Sequence, residues 1–164
     1  MLSIEISGRQ IRLVEGRWRA GALQVTGFDS CAAPEGSVKG GVLTAPAELA
    51  AALRACIQKN RFRSRQAALT ITSAAVATRE VVVPAVKPKQ MPHVLRGEIE
   101  QMDSAQQEHL LDYAVLEREG ADQLRVLCVV LPQAVAAGYR ELIVSLGLKP
   151  AVMDVAAHAV YPDR

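Results

Sequence analysis

Aromatic side chains are scarce, with one Trp, three Tyr and two Phe in 164 residues. A stacking platform for single-stranded nucleic acid interleaves aromatics with cations, and no such series is present. Charge of one sign is also lacking: a formal net charge of +2 and a charged fraction of 22% create no strong field, so no nucleic-acid partner is implied. Cys31, Cys56 and Cys128 are few, odd in number and far from metal-ligand spacing, which reads as reduced thiols buried as small hydrophobes in a reducing compartment. No apolar run reaches the roughly 18 to 20 residues of a membrane span. The N-terminus has no basic-then-apolar leader. The expectation is a cytoplasmic protein without direct membrane insertion.

Catalytic signatures are missing as well. There is no HExxH, GxSxG, CxxC or Walker-type loop. His93, His109 and His158 fall on three different elements. His109 with Glu108 and Asp112 reads as a solvated polar group rather than a metal site, so no metal is expected. Glu98 and Glu100 stand two apart on a helix and cannot act as a paired acid and base.

What the chain does have is hydrophobic patterning, with half of its residues apolar. The runs Ile4 to Val14 and Leu23 to Phe28, separated by a Gly-containing turn, predict an antiparallel meander. Ser30 to Gly41 reads as a connector. Thr44 is placed to cap a helix with Pro46 in its first turn and Leu49, Ala50, Leu53, Cys56 and Ile57 on one face. Lys59, Arg61, Arg63 and Arg65 follow at its C-terminal end. Strands are predicted at Ala67–Thr72 and Ala77–Val83, the latter stopped by Pro84. Val94, Leu95, Ile99 and Met102 mark a second helix. Two strands, Leu111–Leu116 and Leu124–Leu131, then form a hairpin, and a third helix carries Val135, Tyr139, Leu142, Ile143 and Leu146 with Gly147 as its cap. Ala151–Val155 is the closing strand, where Asp154 either faces a cleft or ends the strand. This order predicts an α+β fold with α/β-like mixed sheets, divided at the Pro-rich stretch Pro84 to Pro92.

The start, Ile4-Glu5-Ile6-Ser7-Gly8-Arg9-Gln10-Ile11-Arg12, carries the candidate site. Backbone N–H groups in a tight Ser-Gly turn can converge on a phosphate, and an acid just before it can organise a metal-bound water; an ordinary hairpin uses the same residues.

Together with Thr78-Arg79-Glu80-Val81-Val82-Val83-Pro84, the helix containing Gly97-Glu98 and the closing Leu146-Gly147-Leu148-Lys149-Pro150 to Asp154 segment, that start resembles the PilM family. PilM proteins are actin-like components of the type IV pilus platform at the inner membrane. The resemblance covers nearly all of this chain but only the first half or so of such a protein. It implies an actin-like first-domain portion at 1–84, an inserted strand-helix-strand-strand-helix-strand subdomain at 85–155, and a linker to a second domain starting at 156–164. Against the family's Asp-Ile-Gly-Ser opening and its later Val-Lys, this chain has Glu5, Ser7, Gly8, Ile11 and Arg12. Glu5, Ser7, Gly8 and Arg12 are thus the cofactor-binding candidates of a degenerate phosphate hairpin. The family's Trp-Glu on the inserted helix is Gly97-Glu98 here, and its Tyr-Ile-Pro-Phe segment is missing between Met102 and Leu111. The function implied is a non-catalytic scaffold, peripheral to the inner membrane through partners, that holds the cytoplasmic N-terminal peptide of a PilN-like protein in a groove near Pro84 to Pro92. Other pilus platform proteins and a second copy of the chain are further partners. ATP is implied only for a complete two-domain form. The alternatives are a fragment of an actin-like ATPase and a domain like the type II secretion L protein.

Overall fold

The structure is a computed structural model that describes residues 1–102 and 108–155. The linker expected at 156–164, with His158, lies outside the described residues, as do the side chains of Glu100 and Met102. The chain divides into two compact units, Met1–Ala75 with the segment from Val135 onward, and Val76–Ala134.

In the first unit, β1 (Leu2–Ile6), β2 (Gln10–Arg19), β3 (Ala22–Ala32), β6 (Gln66–Ile71) and β10 (Lys149–Val155) form one sheet in the order β10-β6-β1-β2-β3. β1 runs parallel to β6 and β6 parallel to β10, while β1, β2 and β3 are antiparallel neighbours, so the sheet is mixed as the sequence predicts. Period-2 alternation fixes which face is covered: Leu2, Ile4, Ile6, Ile11, Leu13, Leu69 and Ile71 are buried, and the intervening Ser3, Glu5 and Arg12 are not. Helices α1 (Pro46–Lys59) and α3 (Gln133–Ser145) contribute Leu49, Leu53 and Cys56, and Ala136, Tyr139, Leu142 and Ile143, to the same core.

Both helices end in the same device. After α3, Gly147 takes a φ of +73° while its N–H donates to Val144 and the Leu148 N–H to Ile143, a Schellman motif with the glycine where the sequence places it. After α1 the left-handed residue is Arg61, with a φ of +55°, its N–H donating to Gln58 and that of Phe62 to Ile57. The start of α1 differs from expectation. Pro46 opens it, but Ala45 is the N-cap and supplies no side-chain bond, because the Thr44 hydroxyl donates to the Gly36 carbonyl instead. β3 also extends through Ala32, and β4 (Val38–Lys39) pairs with β5 (Val42–Leu43), so the stretch expected as a connector is partly strand.

The second unit is the antiparallel sheet β7-β9-β8, of β7 (Ala77–Pro84), β8 (His109–Glu119) and β9 (Gln123–Pro132), with α2 (Met91–Met102). Its core is Val81, Val83, Met91, Leu95, Val126 and Cys128, with Val94 and Ile99 partly buried against it. The division therefore differs from the one expected at 84/85 and 155/156. β7 belongs with β9, to which it is bonded along its whole length, and the stretch from Pro84 to Pro92 lies inside the second unit. The last helix and strand return to the first unit because β10 finds its pairing partner in β6. Among the described residues no helix is long and apolar enough to cross a membrane.

Candidate functional site: the β1–β2 turn and the rung beneath it

Parallel strands β1 and β6 end together at Ile6 and Ile71, and β10 beside them at Val155. In open α/β sheets ligands bind outside such carboxyl ends. The β1–β2 turn, Ser7-Gly8-Arg9, lies at this edge. The Ser7 N–H donates to the Gln10 carbonyl at 2.9 Å, the Ser7 hydroxyl donates to the same oxygen at 2.9 Å, and the Gln10 N–H returns a bond to Ser7 Oγ at 3.0 Å. The N–H and the hydroxyl of Ser7 are thus both spent inside the hairpin. Neither Ser7 nor Gly8 adopts a positive φ, so the left-handed residue that a compact anion nest takes from its glycine is missing. Gly8 answers to space instead: a Cβ there would stand 3.3 Å from the Val38 carbonyl oxygen.

The β4–β5 hairpin that supplies Val38 is packed onto this edge at two further points. Gly41, at φ +81°, comes so close to the segment after β6 that a Cβ would lie 2.2 Å from the Ser73 Cα. The Gly41 carbonyl accepts the buried Tyr139 hydroxyl at 3.0 Å. Burial raises the Tyr139 pKa, so that hydroxyl remains a donor at neutral pH.

On the face away from the core, one rung of the sheet is polar throughout. Register places Glu5 opposite Arg12 and Thr70, Thr70 opposite Asp154, and Arg12 opposite Ser30. Arg12 Nη1 donates to both Glu5 oxygens at 3.1 Å. The structure therefore brings Glu5 and Arg12 together and sets Ser7 and Gly8 one turn away, but the carboxylate that would organise a metal-bound water is paired with a guanidinium. Asp154 shares this rung, a relationship hidden in the sequence because it depends on β10 returning to β6. No group of three or more His, Cys, Asp or Glu side chains gathers at metal-binding distance among the described residues.

The arrangement of the whole chain matches known proteins. The sequence pattern of the type IV pilus assembly protein PilM family fits residues 3–162. The chain belongs to the PilM family. A solved relative of this PilM-family chain, in a PilM-PilN type IV pilus biogenesis complex, superposes with a TM-score of 0.87 at 28% identity, covering 96% of this chain and 48% of that one. The cytoplasmic domain of EpsL, an inner membrane component of the Vibrio cholerae type II secretion system, shares the fold with a TM-score of 0.56 at 14% identity over 94% of this chain and 56% of that one. This chain spans about half the length of both solved relatives. Among curated proteins none matches significantly.

A second feature of the first unit was not found from sequence. At the bulge between Glu15 and Gly16 the Glu15 carboxylate accepts the backbone N–H groups of Arg63 at 2.8 Å and Ser64 at 2.7 Å, and the Thr26 hydroxyl at 3.3 Å. Burial pushes the Glu15 pKa up, but these donors together outweigh it and hold the carboxyl below its ordinary value. An open cleft of about 500 Å³ lies here, bordered by Arg17, Thr26, Gly27, Arg61, Phe62 and Arg63. Gly27 is required by the Phe62 ring, which a Cβ would meet at 2.9 Å. The basic group expected after α1 thus splits in two. Lys59 pairs with Asp29 at 3.5 Å, whereas Arg61 and Arg63 face the cleft.

Proposed function

We propose that this chain acts in type IV pilus assembly as a non-catalytic scaffold on the cytoplasmic side of the inner membrane, reaching the membrane through partners. Its principal partner is the N-terminal cytoplasmic peptide of a PilN-like protein. The observation that carries the reading is the likeness to PilM in the PilM-PilN complex over 96% of the chain. Other platform proteins and a second copy of the chain are further partners in the same assembly. The internal commitments of Glu5, Arg12, Ser7 and Gly8 support a structural role for the hairpin and leave it no free carboxylate with which to manage a metal-bound water.

Calorimetric titration with the N-terminal cytoplasmic peptide of a PilN-like protein tests the scaffold reading. Saturable micromolar binding is expected. No heat at millimolar peptide overturns it. A second reading, an ATPase in a longer two-domain form, is favoured by the placement of the turn at the carboxyl ends of the parallel strands. It requires that Mg-ATP raise the melting temperature of a form extended past Arg164, and we expect no such rise.

A further inference from the structure

The two larger sheets have four edges, and three are guarded. β10 carries Lys149 and Pro150 with an irregularity after Pro150. β7 carries Arg79, Glu80 and Pro84. β8 carries Asp112, Glu117, Arg118 and Glu119 with a bulge before Glu117. Lysines, prolines, clustered charges and bulges are the devices by which proteins prevent a stray strand from pairing. β3 is different. It is eleven residues long, has no Pro, Lys or Arg, and its one charge, Asp29, is held inward by Asn60, Lys59 and the N–H of Ser30. Only the bulge at Thr26 interrupts it.

The two faces beside that open edge are chemically unlike. On the outer face, Leu23, Val25 and Phe28 are exposed at 60%, 54% and 78%. On the inner side, at the bulge, lies the cleft with Arg17, Arg61 and Arg63, none of whose guanidinium groups is in an ion pair among the described residues. The one carboxylate at the cleft, Glu15, is already satisfied by Arg63, Ser64 and Thr26. A strand laid along β3 would direct successive side chains alternately to these two faces.

We propose that the β3 edge is a strand-addition site for an extended partner segment that alternates apolar and acidic residues. Its backbone pairs with β3, its apolar side chains cover Val25 and Phe28, and its carboxylates enter the cleft to meet Arg61, Arg63 and Arg17. Charge selects this occupant over a second copy. Two β3 strands paired about a two-fold would bring no carboxylate to these arginines, since Asp29 and Glu15 are already engaged. The site lies wholly in the first unit and is independent of the PilN reading.

The test uses the intact chain and a fluorescein-labelled peptide of alternating valine and glutamate, matched in length to β3, with its valine-lysine counterpart. Anisotropy should show the glutamate peptide binding about tenfold or more tightly than the lysine one, weakening with salt. Hydrogen exchange should slow at the amides of residues 22–32. Arg61→Glu with Arg63→Glu should lose binding about tenfold. Because reversal beside Glu15 can unsettle the loop, Arg61→Gln with Arg63→Gln serves as the second variant, both being checked by thermal melt. Phe28→Lys should weaken the peptide through the other face. Equal binding of both peptides, or binding indifferent to the arginines, overturns the proposal. So does absence of peptide binding, whether accompanied by a dimer that Val25→Lys dissociates, which would assign the edge to a second copy, or by flotation with phosphatidylglycerol vesicles, which would assign the face to lipid.

Discussion

The hydroxyl of Tyr139, in the middle of α3, donates to the carbonyl oxygen of Gly41 across 98 residues of sequence and inside the core. The bond ties the returning segment of the chain to the β4–β5 turn. Tyr139→Phe keeps the ring and leaves the Gly41 carbonyl buried without a donor, and is expected to cost about 1–2 kcal/mol. Urea unfolding monitored by circular dichroism reads the loss as a lower midpoint with an unchanged slope.

Gly41 itself is held more tightly than any bond requires. Its φ of +81° and the 2.2 Å approach of a hypothetical Cβ to the Ser73 Cα leave no room for a side chain. Gly41→Ala is expected to destabilise by about 3–4 kcal/mol, among the largest single-residue effects in the chain. Gly8→Ala, facing a 3.3 Å approach without positive φ, should cost about 1 kcal/mol or less. The same denaturation series orders the two.

Arg61 offers the opposite experiment. A left-handed arginine costs about 1–2 kcal/mol, of which glycine recovers part after its own entropy is charged. Arg61→Gly should therefore raise stability by about 0.5 kcal/mol, measured as a higher urea midpoint. A stabilising change that weakened acidic-peptide binding would mean the strain is kept for the side chain at that place.

The three thiols should separate by reactivity. Burial first, and the neighbouring Cys31 second, push the Cys56 thiol up to about 12, and burial also raises Cys128. Cys31 is half-exposed. With Ellman's reagent at pH 8, Cys31 should react first in the native protein, with Cys56 and Cys128 following only on unfolding, since the thiolate is the attacking form.

The sign of the pH dependence follows from Glu15 and Asp29, both held below their ordinary values of 4.5 and 3.8. For Asp29 the Asn60 side chain is the main cause, then the Ser30 N–H. A depressed folded-state value means that unfolding takes up protons. The stabilisation is complete above the ordinary values and is lost as pH falls below them through the folded values. Melting temperatures of Glu15→Gln should fall less steeply than those of the parent between pH 5 and pH 3, and the two curves should converge at the acid end.

Much of the fold was legible because it is local. Alternation at Leu2, Ile4 and Ile6, the stripe at Leu49, Leu53 and Cys56, and Gly147 as a cap each depend on neighbours within a few residues. Thr44 misled because its hydroxyl found Gly36, a competition among nearby acceptors that composition does not rank. The unit boundary misled for a topological reason: Pro84 to Pro92 has the residues of a linker, but β7 is fixed by pairing with β9, some fifty residues later. At the candidate site the residue types were visible, while the Glu5–Arg12 pairing awaited register and the Glu15 cluster awaited the fold.

Ala77 stands opposite Val130 in the antiparallel register, so the strands by which the chain enters and leaves the second unit are neighbours. During synthesis β10 emerges long after β6, and joining them through a disordered intervening chain would close a long loop. Once β7 and β9 have zipped together, the two ends of Val76–Ala134 are already adjacent, and most of that closure entropy has been spent. Folding of the second unit should therefore assist the pairing of β10 with β6, and variants that loosen its core at Val83 or Leu95 should slow that pairing.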